Sequence, residues 1–342
     1  MRPSPEHKPR IAIATECEYS KGTNYLPDDL RLKQTLDQMD CSAEIVNWNG
    51  TNQWDQYDSI FVCSTWDIPK DPQKFLDWLD KRERLINDKA VLIDNVIKSR
   101  YLSHLIQIIG EDYLKGNAIT PSLFYSRKGN PVDNIKATGG SSLDDLLGER
   151  DNSPLWQGKP VVIKPVISAD GIDTCIYNRN NIPIQLMKDQ QHLLQGPEAQ
   201  QHFDRLLDRA DLRGVILQPY LSGVEQGEYS LIFLAGKFSH AIQKPNGFRQ
   251  DDSTKRVPVS LASLPTGMID FCHLLLKVMS QKYRKGSLTR VRVDLFQQGD
   301  HFVLCELECT EPNMNLQRFS SKEQDSLFQE YASAIKNRTL EL

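Results

Sequence analysis

Three short β-branched runs near the start of the chain, 11–14 (Ile-Ala-Ile-Ala), 44–48 (Glu-Ile-Val-Asn-Trp) and 59–63 (Ser-Ile-Phe-Val-Cys), stand between turn-forming residues. Such runs predict strands. Between the first two, Leu30, Leu32, Leu36 and Met39 recur at helical spacing and predict an amphipathic helix over 28–39, with a second helix expected over 72–85. Strand, helix, strand, strand, helix is the signature of a small α/β unit with a mostly parallel sheet. Sheets of that kind present their functional loops at the C-terminal strand ends. Ser64-Thr65-Trp66-Asp67 falls at such an end.

Further on, Tyr101, Leu102, Leu105, Ile106 and Ile109 predict a helix over 100–109, and Thr120-Pro121 marks a boundary. The stretch 130–158 is rich in Gly, Ser and Asp without apolar periodicity, which predicts a mobile loop. Strands expected over 160–166 and 214–219 bracket a Gln-rich helical stretch at 189–209, and strands follow over 229–234, 238–243, 290–296 and 302–309. The expected organisation mixes α/β and α+β: an N-terminal α/β domain at 1–120, a small central unit at 121–217 and a C-terminal α+β domain at 218–342.

Composition narrows the functional classes. With 342 residues, a formal net charge of −4 and no compensating basic cluster, the chain is not patterned for nucleic acid. No run approaches the roughly 18 apolar residues of a membrane helix, and Met1–His7 has no apolar signal region, so an unsecreted, membrane-free protein is expected. The seven cysteines, at 17, 41, 63, 175, 272, 305 and 309, show no Cys-x-x-Cys, and the histidines no zinc spacing. Free core thiols in a reducing cytoplasm are the expectation.

The alternation at 290–309 carries the chemistry. Val291, Val293 and Leu295 occupy one face and Arg292 and Asp294 the other; in the partner strand Val303, Cys305, Leu307 and Cys309 oppose Glu306 and Glu308. One arginine and three carboxylates then share a face. A hard divalent cation would neutralise them, although the solvated face of an antiparallel sheet has the same pattern. Lys164 ends a β-branched strand and is followed by the small-residue loop 168–174, an arrangement that suits phosphate as well as plain surface decoration. The glycine-rich nucleotide motifs are absent, so any nucleotide is held by another architecture.

Taken in order, Lys164-Pro165, Ser168-Ala169, Gly171 and Thr174, then Gln218-Pro-Tyr-Leu221 with Glu225 and Glu228, then Arg292-Val-Asp294 and Glu306-Leu-Glu308 with Pro312, the chain resembles the ATP-grasp superfamily over about residues 10–320. Within its glutathione-synthetase-like branch it is most similar to the D-cycloserine-forming O-ureidoserine cyclo-ligase family. That narrower likeness rests on Ser64–Asp67 with Phe75-Leu-Asp-Trp78-Leu, on 218–244 with Ser239-His240-Ala241, and on Phe248-Arg249-Gln250. The resemblance implies an ATP-grasp fold, with 121–217 as lid, and the cofactors ATP and Mg²⁺. It implies phosphate contacts from Lys164, Lys98 and Lys244 and from the loop residues Ser168, Ala169 and Gly171. Gln218, Tyr220 and Leu221 would border adenine and Glu225 would hold the ribose.

Asp294, Glu306 and Glu308 match the metal ligands, Arg292 and Arg249 the catalytic cations, and Thr65, Trp66 and Asp67 would meet the substrate. Two positions depart from the pattern: Glu308 stands where many relatives have asparagine, and Ser99, flanked by Lys98 and Arg100, stands where they have a phosphate lysine. Of the histidines only His240 lies in a family-like stretch. The implied activity is an ATP- and Mg-dependent ligase joining a small-molecule carboxylate to an amine with release of ADP and phosphate. Alternatives are an intramolecular cyclo-ligase, a kinase and an idle nucleotide-binding module; analogy with relatives adds a homodimer.

Overall fold

The computed structural model describes residues 8–16, 27–169, 171–180, 193–244 and 256–342. Its first sheet is wholly parallel, with strand order β2-β1-β3-β4. Here β1 is Arg10–Thr15, β2 Ser42–Asn47, β3 Ser59–Val62 and β4 Leu85–Ile86. Helix α1, Pro27–Gln38, buries Leu32 and Leu36 of the expected apolar face, whereas Leu30 is exposed and Met39 lies past the helix end. The helix expected over 72–85 stops at Asp80. The charged stretch Lys81–Arg84 intervenes and Leu85-Ile86 pairs with β3 instead, since two buried apolar residues gain more on a sheet edge than beyond a charged helix turn.

The second sheet runs β10-β9-β8-β11-β6-β7. Its strands are β6 Leu123–Ser126, β7 Lys136–Ala137, β8 Val161–Pro165, β9 Cys175–Tyr177, β10 Leu193–Leu194 and β11 Val215–Pro219. The expected mobile loop at 130–158 is a correction. It holds the edge strand β7 and a short helix, Leu143–Gly148, opened by a Ser142–Asp145 capping box. Leu143, Leu146, Leu147 and Trp156 enter this unit's core with Phe203 and Leu206 of the helix Gly196–Asp208. Six helical residues are too few to print a period that stands out from their polar surroundings.

The third sheet, β14-β13-β12-β15-β16-β5, is antiparallel except for the pairing of β16 with β5. It comprises β5 Ala118–Ile119, β12 Glu228–Leu234, β13 Lys237–Lys244, β14 Val257–Val259, β15 Arg290–Gln298 and β16 His301–Glu308. The C-terminal helix, Ser321–Glu341, packs on α1 and on β12. Phe328, Tyr331 and Ile335 therefore share a core with Ile11, Ile13 and Phe61 of the first sheet. Among the described residues no helix is long and apolar enough to cross a membrane, and six cysteines are free thiols.

Candidate active site

A cavity of about 710 Å³ opens between the second and third sheets. Lys164 of β8, the loop residues Ser168, Ala169 and Gly171, and Gln218, Tyr220 and Leu221 at the end of β11 line one side. Lys244 of β13, Arg292 and Asp294 of β15, and Glu306 and Glu308 of β16 line the other, and Lys98 and Trp66 close it.

Strand register explains the charged wall. Arg292 pairs with Glu308 and Asp294 with Glu306 across the β15–β16 ladder. One oxygen from each of Asp294, Glu306 and Glu308 lies within 4.8 Å of the others. Their repulsion is held in check by cations of the chain. Arg292 Nη2 donates to Glu308 at 2.6 Å and to Asp294 at 2.7 Å. Lys244 Nζ lies 2.7 Å from Glu228 and 3.0 Å from Asp294, and Lys98 Nζ 2.7 Å from Glu306. Ser230 Oγ donates to Asp294 at 2.6 Å.

Burial would raise the Asp294 carboxyl, but Arg292 and Lys244 hold it well below the usual carboxylate range. Burial likewise opposes ionisation of Glu306, and Lys98 with Lys164 overcomes it. At Glu308 burial wins, and despite Arg292 its carboxyl is pushed up to about 7. Burial alone would lower the Lys98 ammonium; Glu306 raises it. The donor set fits a divalent cation with oxygen ligands: three clustered carboxylates, one of them held only weakly in its charged form. The cavity also fits a nucleotide, with Val162, Ile167, Leu221 and Phe296 as apolar lining and Lys164 and Lys98 as charges.

The strict alternation expected at 303–309 does not hold. The β15–β16 register shifts between Asp294 and Leu295, so Leu295 pairs with Leu304 and Cys305 becomes the bulged residue. A bulge sets consecutive side chains on one face, and Cys305 lines the cavity beside Glu306. Burial raises its thiol well above the ordinary cysteine range, which disfavours the thiolate.

The remaining expectations divide. Of the neighbours of Ser99, Lys98 reaches the cavity, where it also donates to Ser168 Oγ at 3.0 Å, whereas Arg100 turns to Asp94 and Asp133. Trp66 lines the cavity. Thr65 and Asp67 do not: Thr65 is fully buried and Asp67 accepts from Trp48 Nε1 at 2.7 Å. Glu225 sits in the turn Ser222–Gln226 outside the lining and accepts from the Tyr220 hydroxyl at 3.1 Å. Arg249, with Phe248 and Gln250, lies outside the described residues. His240 is buried away from the cavity.

Sequence reasoning missed Asn95 and Glu311, which also line the cavity. Asn95 Oδ1 accepts from the backbone of Cys309 at 2.8 Å and of Thr310 at 3.1 Å, and its Nδ2 donates to Leu307 O at 2.6 Å. Trp66 Nε1 donates to the Glu311 carbonyl at 3.0 Å. Burial, reinforced by Glu308, pushes the Glu311 carboxyl up to about 8. The acidic run Glu306-x-Glu308-x-x-Glu311 was the available signal, but the strand ends at Glu308 and period two stops with it.

A family model described as the N-terminal domain of D-cycloserine synthetase DcsG matches residues 11–87. No curated protein matches the sequence. Three solved structures can be set beside the chain. The crystal structure of D-cycloserine synthetase DcsG is 21% identical, with a TM-score of 0.70 over 96% of this chain and 99% of that one. D-alanine--D-alanine ligase from Bacillus anthracis, complexed with ATP, is 14% identical, with a TM-score of 0.55 over 97% of each chain. A RiPP-associated ATP-grasp ligase from Chryseobacterium gregarium, in complex with ADP and with leader and core peptide, is 10% identical, with a TM-score of 0.55 over 96% of this chain and 97% of that one. The fold is therefore the ATP-grasp fold, as the ordered motifs implied.

Proposed function

We propose that this chain is an ATP- and Mg²⁺-dependent carbon–nitrogen ligase that activates a carboxylate as an acylphosphate and joins it to an amine. The observation that carries this reading is the face of Asp294, Glu306 and Glu308, interleaved with Arg292, Lys98 and Lys244 and set opposite Lys164 in one cavity. An idle binding module has no need of so costly a set of buried charges. The ATP and ADP complexes of the two ligases compared above support ATP as the nucleotide.

In this reading Asp294, Glu306 and Glu308 hold Mg²⁺, which when bound neutralises charge on the polyphosphate. Lys164 and Lys98 fix phosphate oxygens, and Ser168, Ala169 and Gly171 cover them. Gln218, Tyr220 and Leu221 border the base; Glu225, bonded to the Tyr220 hydroxyl and outside the cavity lining, would have to turn inward to reach the ribose. Arg292 faces the transferred phosphoryl group, where a fixed fork of donors stabilises oxyanions; Arg249 is a second candidate for that role. The substrate carboxylate attacks the γ-phosphorus and the bond to ADP breaks. The nitrogen then attacks the acyl carbon, and phosphate leaves as the amine gives up its proton. The chain's contribution is positioning and charge.

The functional units in this reading are 1–120, 121–217 as lid and 218–342 as metal-bearing unit, and free thiols with an ATP requirement suit the cytoplasm. The family match over 11–87 favours a second form of the same chemistry, in which one molecule carries both groups and closes a ring. The test is a screen of small acids and amines, singly and in pairs, for ADP release, followed by ¹⁸O-labelling of the acid, with Asp294→Asn as blank. Label is expected in the released phosphate and no turnover in the blank. Label retained in the product overturns the acylphosphate route, and a stable phosphorylated product makes the protein a kinase.

A further inference from the structure

Strand β16 carries two of the three clustered carboxylates, Glu306 and Glu308, yet β5 covers its outer edge only at Val303 and Leu304. Among the described residues no other strand pairs with that edge. The backbone groups of Leu307 and Cys309 that face away from β15 would be orphaned there, and a buried amide or carbonyl without a partner is costly. Side chains from the segment 87–101 take the place of the missing strand. Leu307 N donates to the Tyr101 hydroxyl at 3.4 Å, and Leu307 O accepts from Asn95 Nδ2 at 2.6 Å. The Cys309 amide donates to Asn95 Oδ1 at 2.8 Å, and Cys309 O accepts from Asn87 Nδ2 at 2.6 Å.

Asn95 does most of this. Its Oδ1 also accepts from the Thr310 amide at 3.1 Å and from Thr310 Oγ1 at 3.0 Å, so its bonds fall on residues 307, 309 and 310 and bracket Glu308 without touching it. A carboxamide offers a donor and an acceptor as a peptide group does, which lets one buried side chain serve as a length of strand. The other end of Glu308 is held by Arg292, whose Nη2 donates to its carboxylate at 2.6 Å. Glu308 is thus fixed at its backbone by Asn95 and at its tip by Arg292, an outer layer of bonds of the kind that orients metal ligands.

We propose that Asn95 is a positioning residue for the carboxylate face: by locking the backbone on both sides of Glu308 it sets the spacing of Asp294, Glu306 and Glu308, and so makes the site discriminate among divalent cations by size. The proposal rests on the ligase reading and concerns how this chain tunes that site. Mg²⁺ demands near-ideal octahedral geometry at about 2.0–2.1 Å, whereas Ca²⁺ accepts irregular geometry at about 2.3–2.6 Å. A face whose backbone cannot shift suits the smaller and stricter ion. With Asn95 removed, the end of β16 is free to move, which weakens the fit to Mg²⁺ and leaves Ca²⁺ little affected.

The test reads AMPPNP affinity for the full chain by calorimetry, once in saturating Mg²⁺ and once in saturating Ca²⁺. The wild type is expected to bind at least about tenfold more tightly with Mg²⁺. In Asn95→Ala the two affinities are expected to come within about threefold, chiefly through loss with Mg²⁺, and Asn95→Ser, which keeps one oxygen, to fall between. Ser59→Ala is the control: it removes a buried bond, Ser59 Oγ to Thr339 Oγ1 at 2.7 Å, outside the cavity lining, and should lower the melting midpoint with the Mg²⁺ preference intact. Equal wild-type affinities, a preference unchanged in Asn95→Ala, or one lowered equally in Ser59→Ala overturns the proposal. Should Asn95→Ala fail to fold, Asn95→Ser is read by the same criterion. Failure of AMPPNP to bind with either metal overturns the ligase reading itself, a separate and recognisable outcome.

Discussion

His240 shows how burial decides the role of a single residue. Its Nε2–H donates to the Met314 carbonyl at 2.8 Å, Nδ1 lies 3.1 Å from Ser239 Oγ, and the ring meets Phe319 edge-on at 5.2 Å. Burial holds the imidazole down to about 4. The folded state thus prefers the neutral ring, so the contribution of His240 to stability is complete above the unfolded value of about 6.5 and is lost as pH falls from there towards 4. Asp28 acts oppositely: burial pushes it up to about 6, so its folded state favours the acid form and stability is lost as pH rises through that window. The two partly cancel in the wild type. The stability difference between wild type and His240→Gln isolates the histidine, and urea titrations should show it shrinking by roughly 3 kcal/mol between pH 7 and pH 4. A difference that stays flat would mean that His240 is not held neutral.

At the scale of elements, the β15–β16 hairpin marks how far the sequence could be read. Alternation collected Arg292, Asp294, Glu306 and Glu308 correctly because antiparallel register keeps paired residues on one face. It misassigned Cys305, because a bulge depends on the partner strand and has no local spelling. It could not reach Glu311, whose place is fixed from distant segments by Asn95, Arg290 and Trp66. The helix Leu143–Gly148 was hidden for a different reason: its order comes from packing under Trp156, not from its own propensity. The turn Ser222–Gln226 depends on its neighbour in the same way. A Cβ on Gly223 would stand 2.1 Å from the Gln297 carbonyl, where the glycine amide now donates to Gln298 Oε1 at 2.8 Å. Gly223→Ala should push this turn off β15 and move Leu221 and Val224, which line the cavity. We expect a loss of roughly 1–3 kcal/mol in chemical denaturation together with weaker ATP binding in calorimetry. Native ATP affinity in a destabilised variant would show that the turn does not shape the nucleotide wall.

Across the whole molecule, the first sheet, the C-terminal helix and the end of β16 meet at Arg290. This fully buried guanidinium donates to Val62 O at 2.8 Å, to Thr310 O at 2.6 Å and to the Tyr331 hydroxyl at 2.6 Å, and lies 4.4 Å from the Phe61 ring centroid. No carboxylate pairs with it among the described residues, so neutral acceptors and an aromatic face carry its charge. Methionine has comparable bulk but cannot donate, and would strand the Val62 and Thr310 carbonyls. Stranded buried acceptors cost about 1–3 kcal/mol each. Arg290→Met should therefore lower the melting midpoint by several degrees. Because Thr310 directly precedes Glu311 and closely follows Glu308, the same change should lower kcat as well. If the site is assembled through Arg290, the loss of kcat persists at temperatures where the variant is fully folded by circular dichroism. A variant that melts earlier yet turns over normally while folded would confine Arg290 to joining the units and leave Asn95 and Trp66 as the residues that position Glu311.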